Sequence, residues 1–278
     1  MIGVAGYGYV GGAIADYFSS VKEDIRVYDK YKMSYINPRV LLDTDITFLC
    51  LPTLYNKSEG FSLHALHEVC SFLSIENYRG VVVIKSTVLP GTCRMLRDTY
   101  GLRIVHNPEF LTARTAKEDF ETQKHIVIGH PNQDDGSYGD VKELMSLYTK
   151  HFTLKRSNTK YSTPSYEESE LMKLSCNAFY AIKVQFFNEL YALCEATPHA
   201  EYDKVRSAML QNNWINPMHT LVPGHDGLLS YGGACFPKDT KALLRYMEGC
   251  NSPHEVLEAC VSEQIKMRGS DEQWNKNK

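Results

Sequence analysis

The 278-residue chain contains no CxxC pair, and its eight cysteines, at positions 50, 70, 93, 176, 194, 235, 250 and 260, follow no tight disulfide framework. That excludes a disulfide-stapled scaffold, and in a chain of this length the cysteines read as reduced thiols of an intracellular, cytoplasmic protein. No apolar run approaches the roughly 18–20 residues of a membrane span. The formal net charge of -3 provides no electrostatic footprint for nucleic acid or an anionic membrane. The opening MIGVAGYGYVGGAIADYF is apolar, yet it lacks a basic leader and meets Asp16 early, so it is not read as a signal peptide. There is no internal repeat or low-complexity segment, and the closing GSDEQWNKNK reads as a frayed polar tail. What remains is an ordinary globular composition, 43% hydrophobic and 23% charged, with room for two domains.

The first stretch reads as a short strand, MIGVAG, running into a helix pattern with Gly6, Gly8 and Gly11 between them in G-x-G-x-x-G spacing. Gly6 permits a tight turn, Gly8 lets backbone approach a pyrophosphate, and Gly11 lets the helix pack on the strand. The helix N-terminus then offers its free N–H groups to the phosphates. The next strand, DIRVYD, ends in Asp29, about 20 residues on, where an acid binds the ribose hydroxyls of NAD. A solvated turn carboxylate is the alternative for Asp29, and Lys30 and Lys32 leave NADP open. Further strands follow in DITFLCLPT, GVVVIKST, LRIVHNPEF and HIVIG, with helices in SLHALHEVCSFLSI and GTCRMLRDTYG. This alternation predicts an α/β fold, a Rossmann-like doubly wound parallel sheet over residues 1–158. Its ligand edge gathers Thr53, Ser86, Thr87 and the Asn107-Pro108-Glu109 corner. Only about a dozen residues separate VYDKYK from DTDITFLC, so the usual second crossover is abbreviated. His64 and His67 lack a third ligand and read as a solvated helix face, so no metal is expected.

Residues 159–278 read as a smaller, helical central domain. From Pro164, apolar positions recur at helical spacing for about eight turns, after a capping box of Ser165 and Glu168. The aromatic side of this helix suits a dimer. Lys173 and Asn177 lie four apart on one face, a spacing that by itself describes a solvated surface pair. The stretch YGGACFPKDTKALL then sets Cys235 between glycines and charges, just before a helix opened by Pro237. There the helix dipole and Lys238 favour a thiolate, with a half-buried structural cysteine as the alternative.

GYGYVGGAIA, IKSTVLPGT, NPEFL, the Lys173–Asn177 helix and YGGACFPKDTKALL together resemble, in order, the UDP-glucose/GDP-mannose dehydrogenases. The resemblance implies a four-electron oxidation of a sugar C6 alcohol to a carboxylate with two NAD, UDP-glucose being the first substrate expected. It makes Cys235 the nucleophile of a thiohemiacetal and then a thioester. Lys173 and Asn177 stabilise the oxyanions, Asp239 and Thr87 organise a proton-transferring water, and Glu109 acts in thioester hydrolysis. Beside Gly6, Gly8, Gly11 and Thr53, it assigns NAD contacts to Asp29, Ser86 and Lys238. Substrate contacts fall to Glu109, Lys173, Asn177, Tyr231 and Gly232, and the expected assembly is a homodimer.

Three departures qualify the resemblance. Ala113, followed by Arg114, stands where the family has a second glutamate, which predicts slow thioester hydrolysis. The loop before the glycine pair has no arginine but carries His219 and His225, either of which would serve in sugar recognition or be a surface residue. The chain also stops some thirty residues after the cysteine helix, a short form without the family's third, nucleotide-holding domain. Another nucleotide sugar (GDP-mannose or a UDP-N-acetylhexosamine), a degenerate NAD-binding protein and one subunit of a split enzyme are the competing expectations.

Overall fold

The computed structural model describes residues 1–131, 138–152 and 159–268. The expected polar tail and the residues just before the expected boundary at 158 lie outside that description. The chain forms two compact units, Met1–Leu54 with Phe61–Lys173, and Tyr55–Gly60 with Leu174–Lys278. The division falls inside a long helix, because the helix contributes its first two turns to the packing of the first unit.

In the first unit, β1 (Ile2–Ala5) leads through the glycine loop to α1 (Tyr9–Ser20) and β2 (Ile25–Tyr28). The abbreviated crossover to β3 (Ile46–Leu49) consists of two 3-10 turns, Met33–Tyr35 and Pro38–Leu41. A small hairpin, β4 (Tyr55–Asn56) and β5 (Gly60–Phe61), precedes α2 (His64–Ile75). Then come β6 (Val81–Ile84), α3 (Thr92–Tyr100), β7 (Arg103–His106), α4 (Ala116–Glu121), β8 (His125–Val127), α5 (Tyr138–Phe152) and β9 (Lys160–Ser162). The main sheet is parallel with order β2-β1-β3-β6-β7, and β8 pairs in parallel with β9. The doubly wound sheet expected from the sequence is therefore present.

Its strands are apolar on both faces because both are covered. With period-2 alternation, Val81 and Val83 of β6 join Ile14, Phe18, Phe120, Tyr148 and Phe152 on one face. Val82 and Ile84 join Leu66, Leu73 and Leu96 on the other. Burying such aromatic side chains contributes on the order of 2–3 kcal/mol each.

The second unit is helical: the rest of α6 (Tyr166–Ala196), α7 (Tyr202–Leu210), α8 (Phe236–Gly249) and α9 (Glu255–Arg268). The capping box at the start of α6 forms as expected: the Ser165 N–H donates to Glu168 at 2.7 Å, and the Glu168 N–H returns to Ser165 Oγ at 3.3 Å. The hairpin tip belongs to the second unit, where the Arg245 guanidinium donates to the Ser58 carbonyl at 2.6 Å. No helix among the described residues is long and apolar enough to cross a membrane.

Candidate active site

The loops after β1, β3, β6 and β7 all leave the carboxyl edge of the sheet, where open α/β sheets hold their ligands. After β1, Gly6 has φ +90, and a Cβ on it would fall 2.4 Å from the Cys50 carbonyl oxygen. A Cβ on Gly11 would fall 1.9 Å from the Gly6 carbonyl oxygen. Packing alone demands these two glycines. Gly8 differs: its φ is -83 and a Cβ there would meet nothing within 4 Å. Gly8 keeps open the space in front of α1, whose N-terminus receives no side-chain cap.

Asp29, at the end of β2, braces this loop by accepting the Tyr7 N–H at 2.8 Å and the Tyr31 N–H at 2.9 Å. Lys30 pairs with Glu68 at 2.8 Å, and Lys32 donates to the Tyr7 carbonyl at 2.7 Å. An open helix N-terminus with an acid beside it fits the pyrophosphate and ribose of NAD. The two lysines that would attract a 2′-phosphate are each engaged elsewhere. Ser86 and Thr53 bind backbone: Ser86 Oγ–H donates to the Leu51 carbonyl and Thr53 Oγ1–H to the Thr87 carbonyl, both at 2.7 Å. They fix the loops after β3 and β6 against each other.

The corner after β7 rests on a buried polar chain that the sequence did not disclose. Lys85, 3% exposed, donates to Asn107 Oδ1 at 3.0 Å, and the Tyr148 hydroxyl donates to the same oxygen at 2.6 Å. The Asn107 amide in turn donates to the Val127 carbonyl at 2.6 Å. Burial pushes the Lys85 ammonium down to about 8, against the opposing pull of Cys50 and Glu109, and pushes the Cys50 thiol up to about 12. The available signal was a lysine closing the apolar run VVVI. Two residues beyond Asn107, Glu109 is buried, accepts the Leu111 N–H at 2.7 Å and lies 3.5 Å from Lys173 Nζ. Lys173 also sits 5.0 Å from the Phe110 ring centroid.

On α6, one turn before Lys173, Glu170 receives the Gly91 and Cys93 N–H groups at 2.6 and 2.7 Å. It satisfies the N-terminus of α3 from a distance in sequence. Burial raises its carboxyl to about 7, those two N–H bonds pulling the other way.

In the second unit, Cys235 is the half-buried N-cap of α8, with Pro237 in the first turn as expected. Asp239 is fully buried and accepts the Asn177 side-chain N–H at 2.6 Å and the Lys238 ammonium at 2.5 Å. Lys173 and Asn177, 4% and 5% exposed, are therefore not the solvated pair their spacing alone described. Tyr231, 2% exposed, packs in the unit's core with Ala181 and Cys260. Gly232 faces Arg268, whose Nη1 would lie 2.2 Å from an added Cβ.

His219 lies half-buried, its ring 4.9 Å from that of Tyr180 and 5.6 Å from that of Phe236; burial lowers its pKa, with the Lys183 and His225 charges adding. His225 is exposed. In the first unit, Ala113 and Arg114 occupy an exposed loop after the Glu109 corner. His64 is exposed, 3.9 Å from Glu68, while His67 Nδ1 lies 2.8 Å from the Tyr100 hydroxyl. Among the described residues no three potential metal ligands gather.

Comparison with known proteins adds the following. Residues 28–152 match the NAD binding domain of the UDP-glucose/GDP-mannose dehydrogenase family, and residues 167–263 match its central domain. A UDP-glucose 6-dehydrogenase of Rhizobium meliloti (strain 1021) is 33% identical over 79% of this chain and 49% of its own length. A GDP-mannose 6-dehydrogenase of Pseudomonas aeruginosa is 28% identical over 79% of this chain and 50% of its own. The chain thus spans about half the length of these curated relatives. A UDP-glucose dehydrogenase structure from Pyrobaculum islandicum superposes with a TM-score of 0.80 at 24% identity, covering 99% of this chain and 71% of that one.

Proposed function

Since the chain belongs to the UDP-glucose/GDP-mannose dehydrogenase family, a family of NAD-dependent enzymes acting on CH–OH groups, we propose that it oxidises the C6 alcohol of a nucleotide sugar, UDP-glucose first, to the acid. The observation that carries this reading is the head of α8, where Cys235 occupies the N-cap position and Asp239, buried, is held by Asn177 and Lys238. NAD, when bound, accepts the hydride in each of the two oxidations.

The chain's own residues supply the rest. The open N-terminus of α1 and Asp29 hold the dinucleotide. Lys173 and Asn177 stabilise negative charge on the reacting oxygen. Cys235 Sγ adds to the carbon of the bound aldehyde, forming a C–S bond as the oxygen takes a proton. Loss of the second hydride leaves a thioester. Glu109 removes a proton from the attacking water, the C–S bond breaks, and the acid leaves with the thiol restored. Asp239 and Thr87 orient the water that carries these protons, and the Lys238 ammonium steadies Asp239.

A homodimer belongs to the same reading. Phe179, Phe186 and Leu193, spaced by seven along α6, are 62%, 52% and 62% exposed, an apolar stripe of the kind a second copy covers. The eight thiols support a cytoplasmic setting.

The test is the yield of NADH from a limiting quantity of UDP-glucose. Two NADH per sugar is the expected result. About two NADH per enzyme site followed by arrest with sugar still unconsumed favours a second reading, a protein that stalls at the thioester, which the alanine at position 113 supports. Silence with UDP-glucose but turnover of GDP-mannose or a UDP-N-acetylhexosamine reassigns the sugar. Silence with every nucleotide sugar refutes the reading for this chain alone.

A further inference from the structure

The path of the chain into Cys235 is set by a residue thirty-three positions later. Arg268, at the end of α9, has a side chain only 5% exposed. Its Nε–H donates to the Leu229 carbonyl at 2.6 Å and an Nη2–H to the Ser230 carbonyl at 2.7 Å. Nη1 and Nη2 also donate to the Asp226 carboxylate at 2.7 and 3.2 Å. One planar guanidinium thus receives two successive main-chain carbonyls and a carboxylate. A lysine ammonium keeps the charge but cannot reproduce this fork.

The segment it grips is conformationally demanding. Ser230 has φ +60, a region unusual for a residue with a Cβ. Two side chains of α6 hold it there: Asn188 Oδ1 accepts its N–H at 2.8 Å and Gln185 Oε1 accepts its hydroxyl at 2.5 Å. Gly232 leaves room for the guanidinium, and Gly233 has φ +83. The Gln264 amide reaches the Tyr231 carbonyl at 3.4 Å. Residues 229–233 are therefore held by α9 and by α6, and two residues later the chain reaches Cys235 at the head of α8. Nothing in the reaction itself calls for Arg268, yet a buried cation is costly unless its partners are all in place.

We propose that Arg268 is a positioning residue for the nucleophile, fixing residues 229–235 and through them the placement of Cys235 Sγ. The proposal rests on Cys235 being the nucleophile of the dehydrogenase reading, but the fixing of the loop can be measured without turnover.

The experiment compares the full chain with Arg268→Lys and Asp226→Asn by amide hydrogen exchange and by steady-state NADH formation. In Arg268→Lys, exchange across residues 229–235 is expected to rise about tenfold or more, with the first unit unchanged, as for a local rather than global opening. The kcat is expected to fall about tenfold while KM stays within about twofold, the pattern of lost orientation at the reacting group. Asp226→Asn, which weakens the same grip from its far side, gives a smaller change in the same direction and decides the matter if Arg268→Lys does not fold. A folded variant with unchanged loop exchange overturns the proposal, and so does faster exchange with unaltered kcat. If the wild-type chain makes no NADH from any nucleotide sugar, the dehydrogenase reading fails while the loop exchange still decides whether Arg268 fixes this segment.

Discussion

Asn177 donates its side-chain N–H to the Asp239 carboxylate at 2.6 Å, and neither side chain is more than 5% exposed. A carboxylate buried this deeply depends on its donors, since removing one leaves charge without compensation. Asn177→Ala is expected to lower the rate of sugar oxidation by about 10²–10³, the usual loss when a donor to developing oxyanion charge is removed. Asn177→Asp is expected to be worse, because it sets two carboxylates at hydrogen-bond distance in a dry site. Stopped-flow NADH absorbance for each variant, beside its melting temperature, separates the catalytic loss from unfolding.

The glycine loop allows cofactor binding to be tested apart from folding. Gly8 has an ordinary negative φ and open space before it, so Gly8→Ala is expected to melt within about 0.5 kcal/mol of the wild type, as a neutral surface change does. Its methyl would nevertheless occupy the approach of the pyrophosphate, and NAD binding is expected to weaken about tenfold, a loss of roughly 1.4 kcal/mol. Gly11→Ala is the control, because its Cβ collides with the Gly6 carbonyl. That variant is expected to lose about 1–3 kcal/mol of stability. Calorimetric titration with NAD and denaturant unfolding read the two effects; equal destabilisation of both variants would refute the distinction.

His106 governs part of the acid limb of stability. Burial, with the Lys85 and Lys173 charges adding, holds its imidazole down at about 3, against 6.5 for an unperturbed group. As pH falls, the unfolded chain takes up that proton first. The stabilisation from keeping His106 neutral is therefore complete above about pH 6.5 and is lost progressively between there and about pH 3, with a slope near 1.4 kcal/mol per pH unit. His106→Gln keeps a partner for Ser169, whose hydroxyl lies 2.8 Å from Nδ1, and is expected to flatten this limb. Urea unfolding at a series of pH values between these limits measures it, and parallel curves would exclude His106 as the titrating group.

The exposed stripe of α6 tests the assembly. Phe186→Lys introduces a charge at the middle of the Phe179, Phe186 and Leu193 face without disturbing the buried side of the helix. Sedimentation is expected to show a dimer for the wild type and a shift to monomer for the variant, since an unpaired charge in an apolar interface costs several kcal/mol. A wild type that is monomeric at all concentrations would remove the dimer from the reading.

What was legible in the sequence was whatever local rules govern. The glycine spacing, the Ser165–Glu168 capping box, the eight-turn helix and the strand alternation each depend on a few neighbouring residues. The buried chain from Lys85 through Asn107 to Tyr148 was not legible, because it joins three elements separated by 22 and 41 residues. Glu170 reads on the helix as one more surface acid, yet it closes the N-terminus of α3 some 77 residues earlier. Arg268 likewise reads as a helix-end cation favoured by the dipole, and its partners 38 and 39 residues back lie in a loop whose course no periodicity predicts. Even Lys173 and Asn177 appeared solvated by spacing alone, because spacing fixes a shared face and not what covers it.

Glu109 offers the most direct view of the chemistry. It is buried, anchored by the Leu111 N–H and 3.5 Å from the Lys173 ammonium, while position 113, on the exposed loop beyond it, holds an alanine. If Glu109 is the base for thioester hydrolysis, Glu109→Gln preserves size and much of the hydrogen bonding but removes the proton acceptor. Both oxidations should then proceed once, and the acyl group should remain on Cys235. The expected outcome is a burst of about two NADH per site, a steady rate lowered by about 10²–10⁴, and an intact mass raised by the acyl adduct. Cys235→Ser in the same background should abolish the adduct. Loss of activity with no added mass would mean that Glu109 acts before the C–S bond forms, and its pairing with Lys173 would then belong to substrate binding.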